Sequence, residues 1–202
     1  MFPQNDGRSP KLLFADGSGT AILTALGGGG NMTTGGLTTL LAGTRPREVA
    51  GSGTAGRYSY QTNVGILKLI ELREAGGEYC LVFDYFDDLA VLDHPTAPQT
   101  IHLYQIKTKD TGEWTIASLC ELIGKAKPRA IISRMYAHSE VFGSFLSETG
   151  LISNAAFRVG LAAGGTTSGG HHRISSQDMN VIELDKVTKA VEKEFGSVCK
   201  IR

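Results

Sequence analysis

From residue 57 onward the chain alternates between two hydrophobic periods, and the alternation outlines a fold. The first pattern, GRYSYQTNVGILKLIELREAGG, sets Tyr60, Val64, Leu67 and either Ile70 or Glu71 three to four residues apart. That spacing predicts an amphipathic helix closed by Gly76-Gly77. The next segment, EYCLVFDY (78–85), is densely apolar and reads as a buried strand. DDLAVLD (87–93) predicts a second strand that opens on two aspartates, and His94, Pro95 and Pro98 mark the turn after it. IHLYQIKTK (101–109) alternates strictly as a third strand, with Ile101, Leu103, Gln105, Lys107 and Lys109 on one face.

Further along, GEWTIASLCELIGKAK (112–127) places Trp114, Leu119, Leu122 and Ile123 on one helical face, ended by Pro128. Trp114 reads as core packing over the sheet. RAIISRMY (129–136) reads as a fourth strand, VFGSFLSETG (141–150) as a short helix and LISNAAFRV (151–159) as a further strand. TTSGGHHRISSQ (166–177) is polar and predicts a loop. The tail NVIELDKVTKAVEKEFG (180–196) has Val187, Val191 and Phe195 at spacing four and a Glu183–Lys186 pair, which predicts an amphipathic helix. Helix, three closely linked strands, helix and strand describe an α/β (α+β) domain with a central mixed sheet flanked by helices.

Residues 1–56 differ in texture. They hold 13 of the 26 glycines, including the run at 27–30, and their apolar pieces are short. Glycine's chain entropy opposes ordering, so residues 1–51 read as a Gly-rich, disordered lead-in to a domain over 52–202. GSGTAG (51–56) lacks both the preceding strand of a dinucleotide fingerprint and the terminal Gly-Lys-Ser/Thr of a phosphate loop.

Charge changes the picture little. The 202 residues carry 20 basic and 20 acidic side chains, so affinity for nucleic acid would have to come from a local cluster. Lys107, Lys109, Lys125, Lys127, Arg129 and Arg134 are the nearest approach to one. Cys80, Cys120 and Cys199 form no Cys-x-x-Cys pair and read as structural thiols. No run reaches the ~20 apolar residues of a membrane span, and the N-terminus lacks a signal-peptide order, so a cytoplasmic location is the default. His171 and His172 lack companions at ligand spacing, and Ser133, His138 and Ser139 form no nucleophile motif.

The chemistry concentrates where strand two begins and strand three ends. In an antiparallel pair those points are neighbours, so Asp87 or Asp88 can meet Gln105 and Lys107 at one sheet edge. Only one of the two aspartates can share their face. A carboxylate and an amide oxygen are hard ligands suited to Mg²⁺, which would polarise a phosphoryl oxygen and lower the pKa of a bound water. Lys107 could position that water and stabilise developing negative charge. The same residues could equally be a solvated cross-strand ion pair where a strand leaves the core.

The series GRYSYQ (56–61), VFDYFDDLAVLD (82–93), LYQIKTK (103–109), WTIASL (114–119), IISRMY (131–136) and LISNAAF (151–157) resembles the Cap4-type nuclease domain, also catalogued as DUF4297, of bacterial anti-phage systems. The resemblance covers residues ~52–200. It implies a restriction-endonuclease-like αβββαβ core of the PD-(D/E)xK superfamily, cutting double-stranded DNA with Mg²⁺ or Mn²⁺, and a homo-oligomer when active. By this resemblance Asp88 matches the metal-binding aspartate, and Gln105 and Lys107 match the Q-x-K variant of the signature. Gln61 matches a polar position facing the site. Asp84 stands where the family often has glutamate and is a shorter second metal-ligand candidate, with Asp87 a weaker one. Such nucleases usually carry a C-terminal sensor domain, absent from these 202 residues. A catalytically silent DNA-binding or assembly module of the same fold is the alternative reading.

Overall fold

The computed structural model describes residues 23–24, 36–44, 55–124, 128–167 and 173–196. Its centre is a four-stranded mixed sheet in the order β2 (Cys80–Phe83), β3 (Leu89–Leu92), β4 (Ile101–Lys107), β6 (Leu146–Ser153). Two short pieces precede it: β1 (Leu23–Thr24) and α1 (Gly36–Gly43). Both fall in the segment expected to lack order, and the rest of residues 1–51 lies outside the described residues. Leu37 of α1 is fully buried, and the Tyr85 hydroxyl donates to the Leu41 carbonyl.

The helix expected from residue 57 is α2 (Ala55–Ala75). Its buried stripe differs from the one expected. Leu67 and Ile70 are exposed, while Tyr60, Val64, Lys68 and Leu72, four residues apart, face the protein. Lys68 can occupy that line because its ammonium lies 5.3 Å from the centre of the Tyr104 ring while its alkyl stem covers apolar surface. Gly65 marks the close approach to the sheet, where a Cβ would clash with the Phe83 ring.

The meander forms as its alternation requires. β2 (Cys80–Phe83), β3 (Leu89–Leu92) and β4 (Ile101–Lys107) pair antiparallel, with Leu89 opposite Tyr104 and Leu92 opposite Ile101. Leu89, Val91, Tyr104 and Ile106 enter the larger core, and Ala90, Leu92, Ile101 and Leu103 the smaller one on the other face. Every residue of β3 is buried, as expected of a strand covered on both sides.

After β4 the expected elements need correction. The predicted helix over 112–127 is a two-residue strand, β5 (Trp114–Thr115), followed by one turn of helix, α3 (Ile116–Cys120). A capping box between Thr115 and Ser118 starts the turn, and the extended backbone of Glu121 stops it. Leu122 and Ile123 are therefore exposed, and Ile123 instead pairs with Arg129. Trp114 is buried as expected, its Nε1 donating to Ser153 Oγ at 2.8 Å. Trp114→Phe should cost about 1 kcal/mol by urea unfolding, the net worth of one buried hydrogen bond.

The larger correction concerns 129–150. The predicted strand 129–136 is the first half of α4 (Ile131–Phe142), and the predicted helix 141–150 is a 3₁₀ turn (Gly143–Phe145) running into β6 (Leu146–Ser153). Ile131 and Ile132 suggested a strand because β-branched residues favour one. The deciding period only closes at Phe142: Ile131, Met135, His138 and Phe142 are all buried, three to four residues apart. Gly143, at φ +50, ends the helix. β6 then pairs parallel with β4, and α4 belongs to the crossover that a parallel pair requires.

β7 (Phe157–Arg158) pairs parallel with β5, and β8 (Ile174–Ser175), inside the expected polar loop, with β1. α5 (Val181–Phe195) is the expected amphipathic helix, capped by Asn180. It buries Val187 and Val191 and carries the Glu183–Lys186 pair at 2.9 Å.

Candidate functional site

The site sits where β4 ends and the chain enters β3. Residues 84–88 form a tight lead-in in which Asp84 adopts φ +51, the one positive φ outside glycine among the described residues. Its N–H donates to the Asp88 carbonyl at 3.3 Å. That bond holds Asp88 one step before β3, and continuing the β3–β4 register places Asp88 across from Gln105.

The Asp88 carboxylate turns onto the end of β4. Its Oδ2 accepts the backbone N–H of Ile106 at 2.6 Å and the Lys107 ammonium at 3.1 Å. Burial is the largest influence on this carboxyl and pushes it above the ordinary aspartate value. Lys107 pulls it down, Asp87 pushes it up again, and the two hydrogen bonds pull it down, yet burial wins. Gln105 is buried and its Oε1 has no hydrogen-bond partner. A buried amide oxygen without a partner costs about 1–3 kcal/mol.

The structure thus brings Asp88 and Lys107 into contact, with Gln105 across from Asp88 in the continued strand register. It separates the two aspartates: Asp87 turns to the His138 ring, with Oδ2 3.1 Å from Nε2. Asp84 is exposed and joins the group through its backbone alone. Gln61 is half-buried on α2, three residues before Val64, and makes no hydrogen bond to Asp88, Gln105 or Lys107. Among the described residues, no three His, Cys, Asp or Glu side chains cluster as metal ligands. The fitting donor set is the hard-oxygen pair, Asp88 with the unpartnered Gln105 Oε1.

The surroundings are stiffened by the chain that follows. Lys109 and Asn154 exchange backbone-to-amide bonds at 2.9 and 3.0 Å, tying the ends of β4 and β6 together. Lys109 Nζ lies 4.2 Å from the centre of the Trp114 ring and donates to the Glu113 carbonyl at 2.7 Å. Arg129 stacks over Phe195. Lys125, Lys127, His171, His172 and Cys199 lie outside the described residues. Burial pushes the Cys120 thiol up to about 11, with Glu183 acting in the same direction, which keeps it unreactive. No described helix is long and apolar enough to cross a membrane.

Two clusters escaped sequence reasoning because their members are far apart in the chain. One joins Asp87, His138 and Thr149. The other gathers His102, Glu148 and Arg173 on the sheet, with Arg173 2.7 Å and His102 3.9 Å from Glu148 Oε2. Burial pushes Glu148 up, but His102, Arg173 and Lys68 together hold it down at about 2. A carboxylate depressed from 4.5 stabilises the fold above that pH and loses its contribution as pH falls toward 2. The advantage of the native chain over Glu148→Gln, on the order of 3 kcal/mol at neutral pH, should vanish across that window in chemical unfolding.

Comparison with known proteins identifies the family. Lamassu protein LmuA of Bacillus cereus (strain VD014) is 31% identical over 110 residues, which take in 54% of this chain and 29% of the relative. The match therefore spans under a third of that curated protein. No solved structure matches the chain. The profile of the family described as "Cap4, dsDNA endonuclease domain" matches residues 49–201, from just before α2 through α5 and the whole of the site. Covering most of the sequence, that match places the protein in the Cap4 dsDNA endonuclease domain family.

Proposed function

We propose that this chain is a divalent-metal-dependent endonuclease acting on double-stranded DNA in bacterial anti-phage defence. Asp88 and Gln105 would hold Mg²⁺ or Mn²⁺, with Asp84 and Gln61 in supporting places. The observation that carries the reading is the Asp88 carboxylate held 3.1 Å from Lys107 at the strand end, across from the unpartnered Gln105 oxygen. When bound, the cation would supply Lewis-acid polarisation of the scissile phosphate and a more acidic water.

The residues themselves have distinct duties. Asp88 presents a charge that burial makes costly and that a cation would relieve. Gln105 contributes a neutral oxygen whose position is set by the strand. Lys107, half-buried and 3.1 Å from Asp88, would face the attacking water and the developing charge on phosphorus. Lys109, whose ammonium already lies on Trp114, would stiffen the floor of the site. Two strands cut by one site each would call for two copies.

The test is incubation of supercoiled plasmid with purified protein and Mg²⁺ or Mn²⁺, beside an EDTA control and Asp88→Ala. Nicking or linearisation that needs both the cation and Asp88 is the expected result. Metal-independent cleavage, or cleavage unaffected by Asp88→Ala, would overturn the assignment. No cleavage together with no Asp88-dependent Mn²⁺ binding would leave a DNA-binding or assembly module of this fold.

A further inference from the structure

Behind Asp88 lies a buried polar chain that the proposed chemistry does not use. Asp87 Oδ1 accepts the Asp88 N–H at 3.1 Å, while its Oδ2 sits 3.1 Å from His138 Nε2 without the alignment of a hydrogen bond. The other ring nitrogen, Nδ1, is 2.8 Å from Thr149 Oγ1 on β6. The His138 side chain is 2% exposed and that of Asp87 8%. Phe86 meets the His138 ring edge-on at 5.5 Å and Phe142 at 4.8 Å, closing the pocket.

Burying a carboxylate against an imidazole is expensive, and apolar residues of similar volume would pack at least as well. Three elements nevertheless converge to keep this one: the β3 lead-in, α4 and β6. What they hold in common is the backbone of Asp88. Its N–H is taken by Asp87 and its carbonyl by the Asp84 N–H, so the residue is clamped on both sides of its Cα. Its carboxylate is then aimed at the Ile106 N–H and Lys107.

We infer that His138 is a positioning residue for the nuclease site, acting through Asp87 to fix the Asp88 carboxylate, with Thr149 setting the orientation of the ring. The inference rests on the assignment of Asp88 as the metal-holding carboxylate. Thr149 and His138 are too buried to meet substrate, which rules out their use as a nucleophile and base. Their effect must pass through Asp87. Outer groups that orient metal-holding side chains are commonly worth about 10- to 100-fold in metal affinity or activity.

The experiment compares three proteins with the native chain by plasmid cleavage, Mn²⁺ titration and thermal unfolding. His138→Gln keeps a polar N–H group facing Asp87 in place of the ring. The double variant Asp87→Asn with His138→Leu removes the ring without leaving a buried charge unpaired, so it should fold. Asp88→Ala reports on the underlying assignment. The double variant should lose about 10- to 100-fold in kcat and weaken Mn²⁺ binding about tenfold, with KM for DNA unchanged. His138→Gln should recover to within about threefold of native. A folded double variant with native kcat and Mn²⁺ affinity would overturn the inference, as would His138→Gln no better than the double variant. Asp88→Ala that cleaves normally would instead bring down the assignment of Asp88. An inactive Asp88→Ala beside a fully active double variant sinks the positioning role alone.

Discussion

Lys107→Ala should lower the single-turnover cleavage rate by about 10²- to 10³-fold, the usual loss when one group facing transition-state charge is removed. Three features of the site set that size. The ammonium is 3.1 Å from Asp88, so it is directed by a fixed partner. It is carried by the last residue of a strand paired on both sides, Lys107 standing opposite Ser153 of β6. It also pulls the Asp88 carboxyl down, so its loss leaves only the Ile106 N–H against burial and Asp87 and pushes that carboxyl further toward the protonated form. Plasmid binding should change little, since one phosphate-scale contact among many is a small part of DNA affinity. kcat should therefore carry nearly all of the loss. Lys107→Arg should restore only part of it, because a planar fork cannot place a point charge at the same spot. An alanine variant that nicks plasmid at the native rate would reduce Lys107 to a solvated partner of Asp88.

Asp88→Asn should separate activity from stability. The amide keeps an oxygen for the Ile106 N–H but loses the charge a cation needs, so cleavage and Mn²⁺ binding should both fall by about 10²-fold or more. Stability should move the other way or not at all. Burial raises the Asp88 carboxyl above its unfolded value, so ionising it opposes folding. That opposition is absent below the unfolded pKa of 3.8, grows as pH rises, and is complete above the folded pKa. At neutral pH the Asn variant escapes it, and Lys107, 31% exposed, stays hydrated without its partner. The midpoint of thermal unfolding at pH 7 should equal or exceed the native one. A clear drop would mean that the Asp88–Lys107 pair is a net structural contact. The same shift implies that Mn²⁺ affinity declines with acidification at a higher pH than for an ordinary aspartate.

Three local irregularities gather around the Asp88 carboxylate. Asp84 sits at positive φ, Gln105 keeps an unpartnered oxygen, and Asp87 is buried on an imidazole, all around one carboxylate.

The four-stranded mixed sheet with flanking helices agrees with the α/β core expected from periodicity. The meander was legible because strand alternation is local: a two-residue period over 101–107 decides which side chains share a face, and turn residues place the neighbour. The convergence of Asp88 with Lys107 followed from that geometry, as did α5 from its spacing of four. Where a segment's period exceeded the stretch inspected, the reading failed. α4 looked like a strand until Phe142 completed its turn pattern, and the helix expected at 112–127 stopped at Cys120 because a cap and an extended residue outweigh periodicity. Which aspartate turns toward Lys107 could be reduced to one of two from sequence, since alternation allows only one. That Asp87 should find His138 and Thr149, and that Glu148 should find His102 and Arg173, was invisible. Those partners come from separate elements, and only the packing of α4 and β6 against the sheet brings them within hydrogen-bonding or ion-pair distance.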